Sequence, residues 1–283
     1  MSVPENLLAG IDRLEPLPLT LQRLVVILEK EDINTTEIVQ VIELDGAVAA
    51  NILRMANSAR FGGRFEITNL KDAVVRLGTS VLLEIALGAQ LHTLRTAAPL
   101  YDLTEDDLWL HGAAASMAVK AIMRESHNGS IPQIATIAAL IHDIGKLIMV
   151  RYLRADVSAI LSICTEKQVT FVEAERELFG CDHAEVGAAV ARKWSFPEPI
   201  TQVIERHHQV PVVEATPMLD AVMLANLAAK TIGVGLGLEG LNLRIEYSGS
   251  RDRLGLTVEG FERACAQTAF WLRDLKKSYG IKG

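Results

Sequence analysis

The stretch LPLTLQRLVVIL, residues 17–28, places Leu17, Leu21, Leu24, Val25 and Leu28 at helical spacing. In an α-helix these side chains form one apolar stripe, which is the pattern of a helix that packs against a core. Apolar residues recur with the same spacing through residues 38–55. Sustained alternation of apolar and polar residues is not evident over most of the chain, and aromatic residues make up only 5% of it. The sequence therefore predicts an all-α protein, a multi-helix bundle.

The composition is that of a folded, acidic protein. Of 283 residues, 49% are hydrophobic and 22% are charged, which is enough apolar material for one large core or two modest ones. Twenty-eight basic residues against 35 acidic ones give a net charge of −7, so we expect no general binding to nucleic acid. Three cysteines without a pairing motif are typical of a reducing compartment.

Charged residues interrupt the N-terminal region at Glu5, Asp12, Arg13 and Glu15, where a signal peptide would need an apolar run. The longest purely apolar run falls far short of the roughly 20 residues that a membrane span requires. We therefore expect a soluble, cytoplasmic protein with no membrane contact.

The segment between Leu94 and Thr104 loses helical periodicity and contains Pro99, which predicts a seam near residue 100. An N-terminal helical lobe would then cover residues 14–100, and a second lobe with a C-terminal helix would cover residues 101–283. Capping boxes at Thr104 with Asp107 and at Asp182 with Glu185 predict helix starts in the second lobe.

Histidines in the second lobe lie within or beside helical stretches rich in small apolar residues; they are His111, His142, His183, His207 and His208. Any one of them could be an ordinary core or surface residue. Asp143 changes that balance, because an ionised carboxylate in an apolar helix is costly unless it is paired or bound to a metal. Imidazole and carboxylate are the usual ligands of zinc, iron, manganese and nickel, so the set predicts a metal site.

His111, the run His142-Asp143-Ile144-Gly145-Lys146 and the later histidines resemble the HD superfamily of metal-dependent phosphohydrolases. The resemblance implies that His111, His142 and Asp143 are primary metal ligands and that Lys146 contacts phosphate. It further implies that His183, His207 and His208 hold a second metal, as in the binuclear branch of the superfamily.

The chain departs from the superfamily at two places. The last primary ligand should be an aspartate, but the corresponding helix has Asn226, whose carbonyl oxygen can ligate a metal without supplying charge. We therefore expect weaker metal binding and poorer activation of water. The Gly-Tyr-Pro signature of the cyclic-di-GMP phosphodiesterases is also missing after His208, which disfavours that activity.

Motifs in the first half of the chain resemble the HDOD domain, the HD-related output domain of bacterial signalling. Its most specific marks here are Ala56-Asn57-Ser58-Ala59 and Arg76-Leu77-Gly78, and the resemblance covers roughly residues 14–230. Asn57 and Ser58 could equally form an ordinary helix-ending loop or help to bind a partner.

The resemblance implies a signal-transduction output module that contacts an unidentified signalling protein and retains most of an HD-type metal site. The alternative is a hydrolase of a nucleotide or another phosphoester, with Asp143 and Lys146 as the catalytic residues. One or two divalent ions of iron, manganese, zinc or nickel would serve either function. A third hypothesis is an ion that only ties the helices together.

Overall fold

A computed structural model describes residues 3–28, 30, 32–58, 61–63, 65–92, 101–153, 157–209, 212, 214–235 and 248–279. These residues form helices joined by short loops, and within these ranges there is no β-strand. The predicted all-α fold is confirmed.

The helices before residue 93 are α1 (Glu5–Asp12), α2 (Leu19–Leu28), α3 (Thr35–Glu43), α4 (Gly46–Ala56), α5 (Leu70–Leu77) and α6 (Thr79–His92). The next are α7 (Glu105–Glu125), α8 (Ala135–Ile141), α9 (Ile144–Tyr152), α10 (Val157–Lys167) and α11 (Phe171–Phe179). The remaining ones are α12 (His183–Lys193), α13 (Glu198–Arg206), α14 (Pro217–Thr231), α15 (Ser248–Arg253) and α16 (Val258–Tyr279).

The predicted helix signals appear in the structure. The stripe that begins at Leu17 is buried along α2. Asp182 and Glu185 exchange hydrogen bonds at the start of α12, each side chain accepting from the other residue's backbone N–H. At the start of α7, the Asp107 carboxylate accepts from both the backbone N–H and the hydroxyl of Thr104. These local contacts set where the two helices begin.

One apolar core connects the early and late helices. The first helix, α1, packs against α9 and α12, and α6 packs against α7 and α8. The long helix α7 lies against α8, α14 and α16. The predicted seam at residues 95–102 falls largely outside the described residues. The division into lobes at residue 100 stays a prediction.

Asn57 and Ser58 end α4 by bonding to backbone. Asn57 accepts from the backbone N–H of Ile67 and donates to its carbonyl oxygen, both at 2.8 Å, and Ser58 donates to the carbonyl of Met55 at 2.7 Å. These bonds hold the loop between α4 and α5 to the end of α4. A partner-binding role for the segment stays a prediction, since its neighbours at positions 59, 60 and 64 lie outside the described residues.

No helix in the described part of the chain is both long enough and apolar enough to cross a membrane.

Candidate metal centre

Helix ends place most of the predicted site residues in one cluster. His142 occupies the C-cap position of α8, and Asp143 occupies the N-cap position of α9. His207 occupies the C-cap position of α13. His183 is the first residue of α12, and His111 lies in the second turn of α7. All five side chains are buried.

Two glycines allow these helices to approach closely enough. A Cβ atom at Gly112 would overlap the carbonyl oxygen of Leu140, where α7 meets α8. A Cβ atom at Gly145 would overlap the carbonyl oxygen of His183, where α9 meets α12. Because both obstacles are backbone atoms, any larger residue would force the helices apart. The glycines beside His111 and Asp143 therefore bring the ligands together.

Asp143 is the centre of the cluster. Its Oδ1 lies 3.3 Å from Nε2 of His183 and 3.5 Å from Nε2 of His207. Its Oδ2 lies 3.6 Å from Nε2 of His111 and 3.5 Å from Nε2 of His142. The carboxylate therefore stands between two groups of potential ligands, which are His111 with His142 on one side and His183 with His207 and His208 on the other.

Backbone carbonyls orient three of the histidines. The Nδ1 atoms of His111, His142 and His207 lie 2.9, 2.7 and 2.7 Å from the carbonyl oxygens of Val234, Ala139 and Ile204. A carbonyl oxygen can only accept, so in the neutral ring Nδ1 holds the proton and Nε2 directs its lone pair into the cluster. Burial lowers the pKa of His111 and His142, which favours this neutral form.

Asn226, on α14, joins the cluster beside His111. Its Oδ1 lies 3.1 Å from Nε2 of His111, and the side chain is buried. Asn226 therefore lies beside a predicted ligand, and its own role as a ligand stays a prediction. An amide contributes no negative charge there, so the only carboxylate within this group of ligands is Asp143.

Sequence reasoning missed Glu175 and Tyr101. Glu175, on α11, is fully buried and lies 2.7 Å from Nδ1 of His183, whose Nε2 lies 3.0 Å from Nε2 of His208. Tyr101 donates its hydroxyl to Glu175 at 2.6 Å. Glu175 lies four residues after Phe171, on the same face of α11, so it interrupts an apolar stripe. That interruption is a sequence pattern that could have indicated a buried carboxylate. We find no comparable sequence signal for Tyr101.

Charged neighbours shift two pKa values in opposite directions. Burial opposes the ionised form of Asp143, but His142, Lys146 and the other histidines outweigh it and hold the pKa of this carboxyl well below its usual range. Burial also opposes a charged His183, but Glu175 outweighs it and raises the pKa of the ring to about 10. Lys146, itself buried, donates to Oδ2 of Asp143 at 2.8 Å.

The donor set fits a divalent cation. Oδ1 of Asp143, Nε2 of His142 and Nε2 of His207 are buried without a hydrogen-bond partner. Such orphaned acceptors are costly in a core, and here several of them face one another. Cations bound beside Asp143 would satisfy these atoms, whereas the hydrogen bonds of the protein leave them unmet. The buried cluster therefore has the composition and arrangement of a metal site.

Comparison with known proteins identifies the family of this chain. The sequence pattern of the HDOD domain matches residues 14–210. An uncharacterized protein of Treponema pallidum is 24% identical over 226 residues. That match spans 78% of this chain but only 43% of the relative's length.

Solved structures share the fold. An HDOD domain protein of unknown function from Geobacter sulfurreducens has a TM-score of 0.72 at 23% identity, covering 95% of this chain and 93% of its own. A protein of Marinobacter aquaeolei provisionally assigned to signal transduction has a TM-score of 0.78 at 19% identity, covering 98% and 65%. A provisionally assigned metal-dependent phosphohydrolase of Shewanella amazonensis has a TM-score of 0.56 at 20% identity, covering 95% and 100%.

Proposed function

The chain belongs to the HDOD family, and on that premise we propose that it is a signal-transduction output module that works by contacting a partner protein and has a metal centre at Asp143. The observation that carries the proposal is Asn226, which stands 3.1 Å from His111 where a hydrolase would have a carboxylate. Without that charge, the site is better suited to holding an ion than to activating water.

The exposed apolar side chains support a contact surface in the first half of the chain. Of the large apolar side chains that the structure describes as exposed, the four most exposed are Leu19, Leu44, Phe65 and Val75, at 70–78% exposure. All four precede residue 93, whereas the described metal ligands all follow it. Exposed apolar side chains mark a contact site where they adjoin, and we propose that the contact lies in this half of the chain.

Site-specific photo-crosslinking tests the contact. A benzoylphenylalanine at position 65, introduced in cells that carry the gene, should capture one discrete protein that mass spectrometry can identify. The matched control is the same residue at position 270, where a phenylalanine on α16 is 50% exposed. Capture of one protein at position 65 and not at 270 supports the proposal. Equal capture at both positions, or none, contradicts it.

Elemental analysis tests the metal centre. Protein purified without chelators or metal-affinity resin should contain iron, manganese, zinc or nickel. The double variant His142→Ala with Asp143→Ala should lose that metal, since it removes one orphaned nitrogen and the shared carboxylate. An unchanged metal content in the double variant would place the ion elsewhere in the protein.

Phosphoester hydrolysis is the second candidate function, and Lys146 is the observation that favours it. Its ammonium lies 2.8 Å from Asp143, within reach of an anion bound to the cluster. A divalent ion bound by Asp143 and the histidines would supply an activated water and neutralise phosphate charge. In that reaction Lys146 would bind the phosphate oxygens, and Asp143 would hold the ion in place.

Hydrolysis assays separate the two functions. Metal-loaded wild-type protein is compared with Asp143→Ala and Lys146→Met on p-nitrophenyl phosphate and bis-p-nitrophenyl phosphate. We expect no turnover above the Asp143→Ala background. Turnover that both substitutions abolish would establish the hydrolase instead. A loss of thermal stability when the metal is removed from the wild type, without any turnover, would indicate an ion that serves the structure alone.

A further inference from the structure

The two ligand groups around Asp143 differ in charge and in unmet hydrogen bonds. The asparagine half consists of His111, His142, Asn226 and Oδ2 of Asp143. The histidine half consists of His183, His207, His208 and Oδ1 of Asp143. From this asymmetry we infer that the chain binds a single divalent ion tightly, in the histidine half, and this inference rests on the metal centre of the proposed function.

The two oxygens of Asp143 are not equivalent. Oδ2, in the asparagine half, already accepts a hydrogen bond from the Lys146 ammonium at 2.8 Å. Oδ1, in the histidine half, is buried without a hydrogen-bond partner. A cation in the asparagine half would have to share its only anionic ligand atom with the Lys146 ammonium, whereas in the histidine half the described neighbours of Oδ1 are the imidazoles of His183 and His207, at 3.3 and 3.5 Å.

Charges behind the ligands favour the same half. Glu175 accepts from Nδ1 of His183 at 2.7 Å, which adds a second carboxylate to the histidine half and makes the ring a better donor to a metal. Lys146 acts on His183 as well as on His111, whereas Lys230 acts on His111. The asparagine half thus combines a neutral amide with one more nearby ammonium group.

The number of imidazole ligands points in the same direction. The histidine half offers three rings, those of His183, His207 and His208. The asparagine half offers two rings and an amide oxygen, which is a weak ligand for late first-row metals. We therefore expect a metal to occupy the asparagine half only at concentrations far above those that occupy the histidine half.

His142 and His207 provide a matched pair for the test. Each is fully buried, caps the C-terminus of a helix, and lies 2.7 Å through Nδ1 from the carbonyl three residues earlier. Each also has an orphaned Nε2. Replacing either with alanine removes one hydrogen bond to a backbone carbonyl and one orphaned nitrogen, so a difference in metal binding reports which half holds the ion.

Titration with Zn²⁺ against a chromophoric chelator provides the measurement. The wild type should bind one equivalent tightly, His207→Ala should lose more than about 100-fold in affinity, and His142→Ala should stay within a few fold of the wild type. Asn226→Asp should gain a second equivalent, because it restores a carboxylate to the asparagine half. Circular dichroism of the metal-free variants verifies that they are folded.

The opposite result overturns the inference. It fails if His142→Ala loses the ion while His207→Ala keeps it, or if the wild type binds two equivalents of similar affinity. If the histidine variants do not fold, electron spin echo measurements on the Mn²⁺-loaded wild type count the imidazoles bound to the ion. Three bound imidazoles are expected, and two would contradict the inference. Absence of any binding would instead refute the metal centre of the proposed function together with this inference.

Discussion

Glu175 accepts two hydrogen bonds from His183, one from its backbone N–H at 3.1 Å and one from its ring Nδ1 at 2.7 Å. A single buried carboxylate thereby holds both the backbone and the imidazole of the first residue of α12. Tyr101 completes the arrangement by donating to the other oxygen of Glu175. The three residues form a support behind the cluster that the ligands alone do not reveal.

Replacing Glu175 with glutamine should weaken Zn²⁺ binding by about 10- to 100-fold, because the charge that supports His183 is lost. Tyr101→Phe removes only the donor to Glu175 and should have a smaller effect in the same direction. Chelator competition measures both. Glu177→Gln is the matched control, since Glu177 lies on the same helix and pairs with Lys167 in an exposed bridge. Similar losses for Glu175→Gln and Glu177→Gln would contradict a role for Glu175.

Gly145→Ala should destabilise the protein by about 1–3 kcal/mol, because the new Cβ would overlap backbone of α12 rather than a side chain that can rotate away. Urea unfolding measures the change. Gly46→Ala is the control, since nothing lies within 4 Å of a Cβ at that position. It should change the free energy of unfolding by less than about 1 kcal/mol. Equal effects of the two substitutions would show that α9 and α12 need no close approach.

Arg253→Met should lower the free energy of unfolding by about 1–3 kcal/mol. The Arg253 guanidinium donates two hydrogen bonds, of 2.8 and 2.6 Å, to the buried carboxylate of Asp220. The substitution removes both of these bonds. We expect the lower part of the range, because the Arg253 side chain is 41% exposed. Arg251→Met is the comparison, as Arg251 pairs with the exposed Asp252 at 3.9 Å. Ordinary surface substitutions change the free energy of unfolding by less than about 0.5 kcal/mol. A change within that range in both variants would mean that the bridge adds no stability.

The cysteines should differ in their reaction with iodoacetamide. Burial raises the pKa of Cys181 to about 12 and that of Cys265 to about 11, so at pH 8 only about one thiol in 10⁴ and one in 10³ is ionised. The half-buried Cys164 should therefore be alkylated first. Peptide mass spectrometry at pH 8 and pH 10 checks this, and labelling of Cys181 and Cys265 should increase with pH. Equal labelling of all three at pH 8 would show that the two buried thiols are accessible.

Local signals predicted the secondary structure well. The spacing of Leu21, Leu24, Val25 and Leu28 predicted a helix with one buried face, and α2 buries these residues. Asp182 and Glu185 predicted the start of α12, because a capping box forms between residues only three apart. Such features depend on the chain within one or two helical turns, which is the range that a sequence shows directly.

Predicting the cluster was harder, because its contacts join residues that are distant in sequence. Asp143 touches His183 and His207, which lie 40 and 64 residues later. The residue types and the resemblance indicated these candidates, but the direction of each imidazole depends on a carbonyl or carboxylate near it in the fold. Glu175 was missed for the same reason, since its partner His183 belongs to the next helix.

By itself, the sequence determined the helical class of the fold, the helix starts at Thr104 and Asp182, and the kinds of side chain that a metal site needs. Only the tertiary structure decided that Asp143 directs its two oxygens into unlike halves of the cluster. Oδ2 accepts a hydrogen bond from Lys146, whereas Oδ1 is buried without a hydrogen-bond partner. The physical reason is that periodicity and capping are local, whereas burial, charge pairing and ligand orientation arise when distant helices pack together.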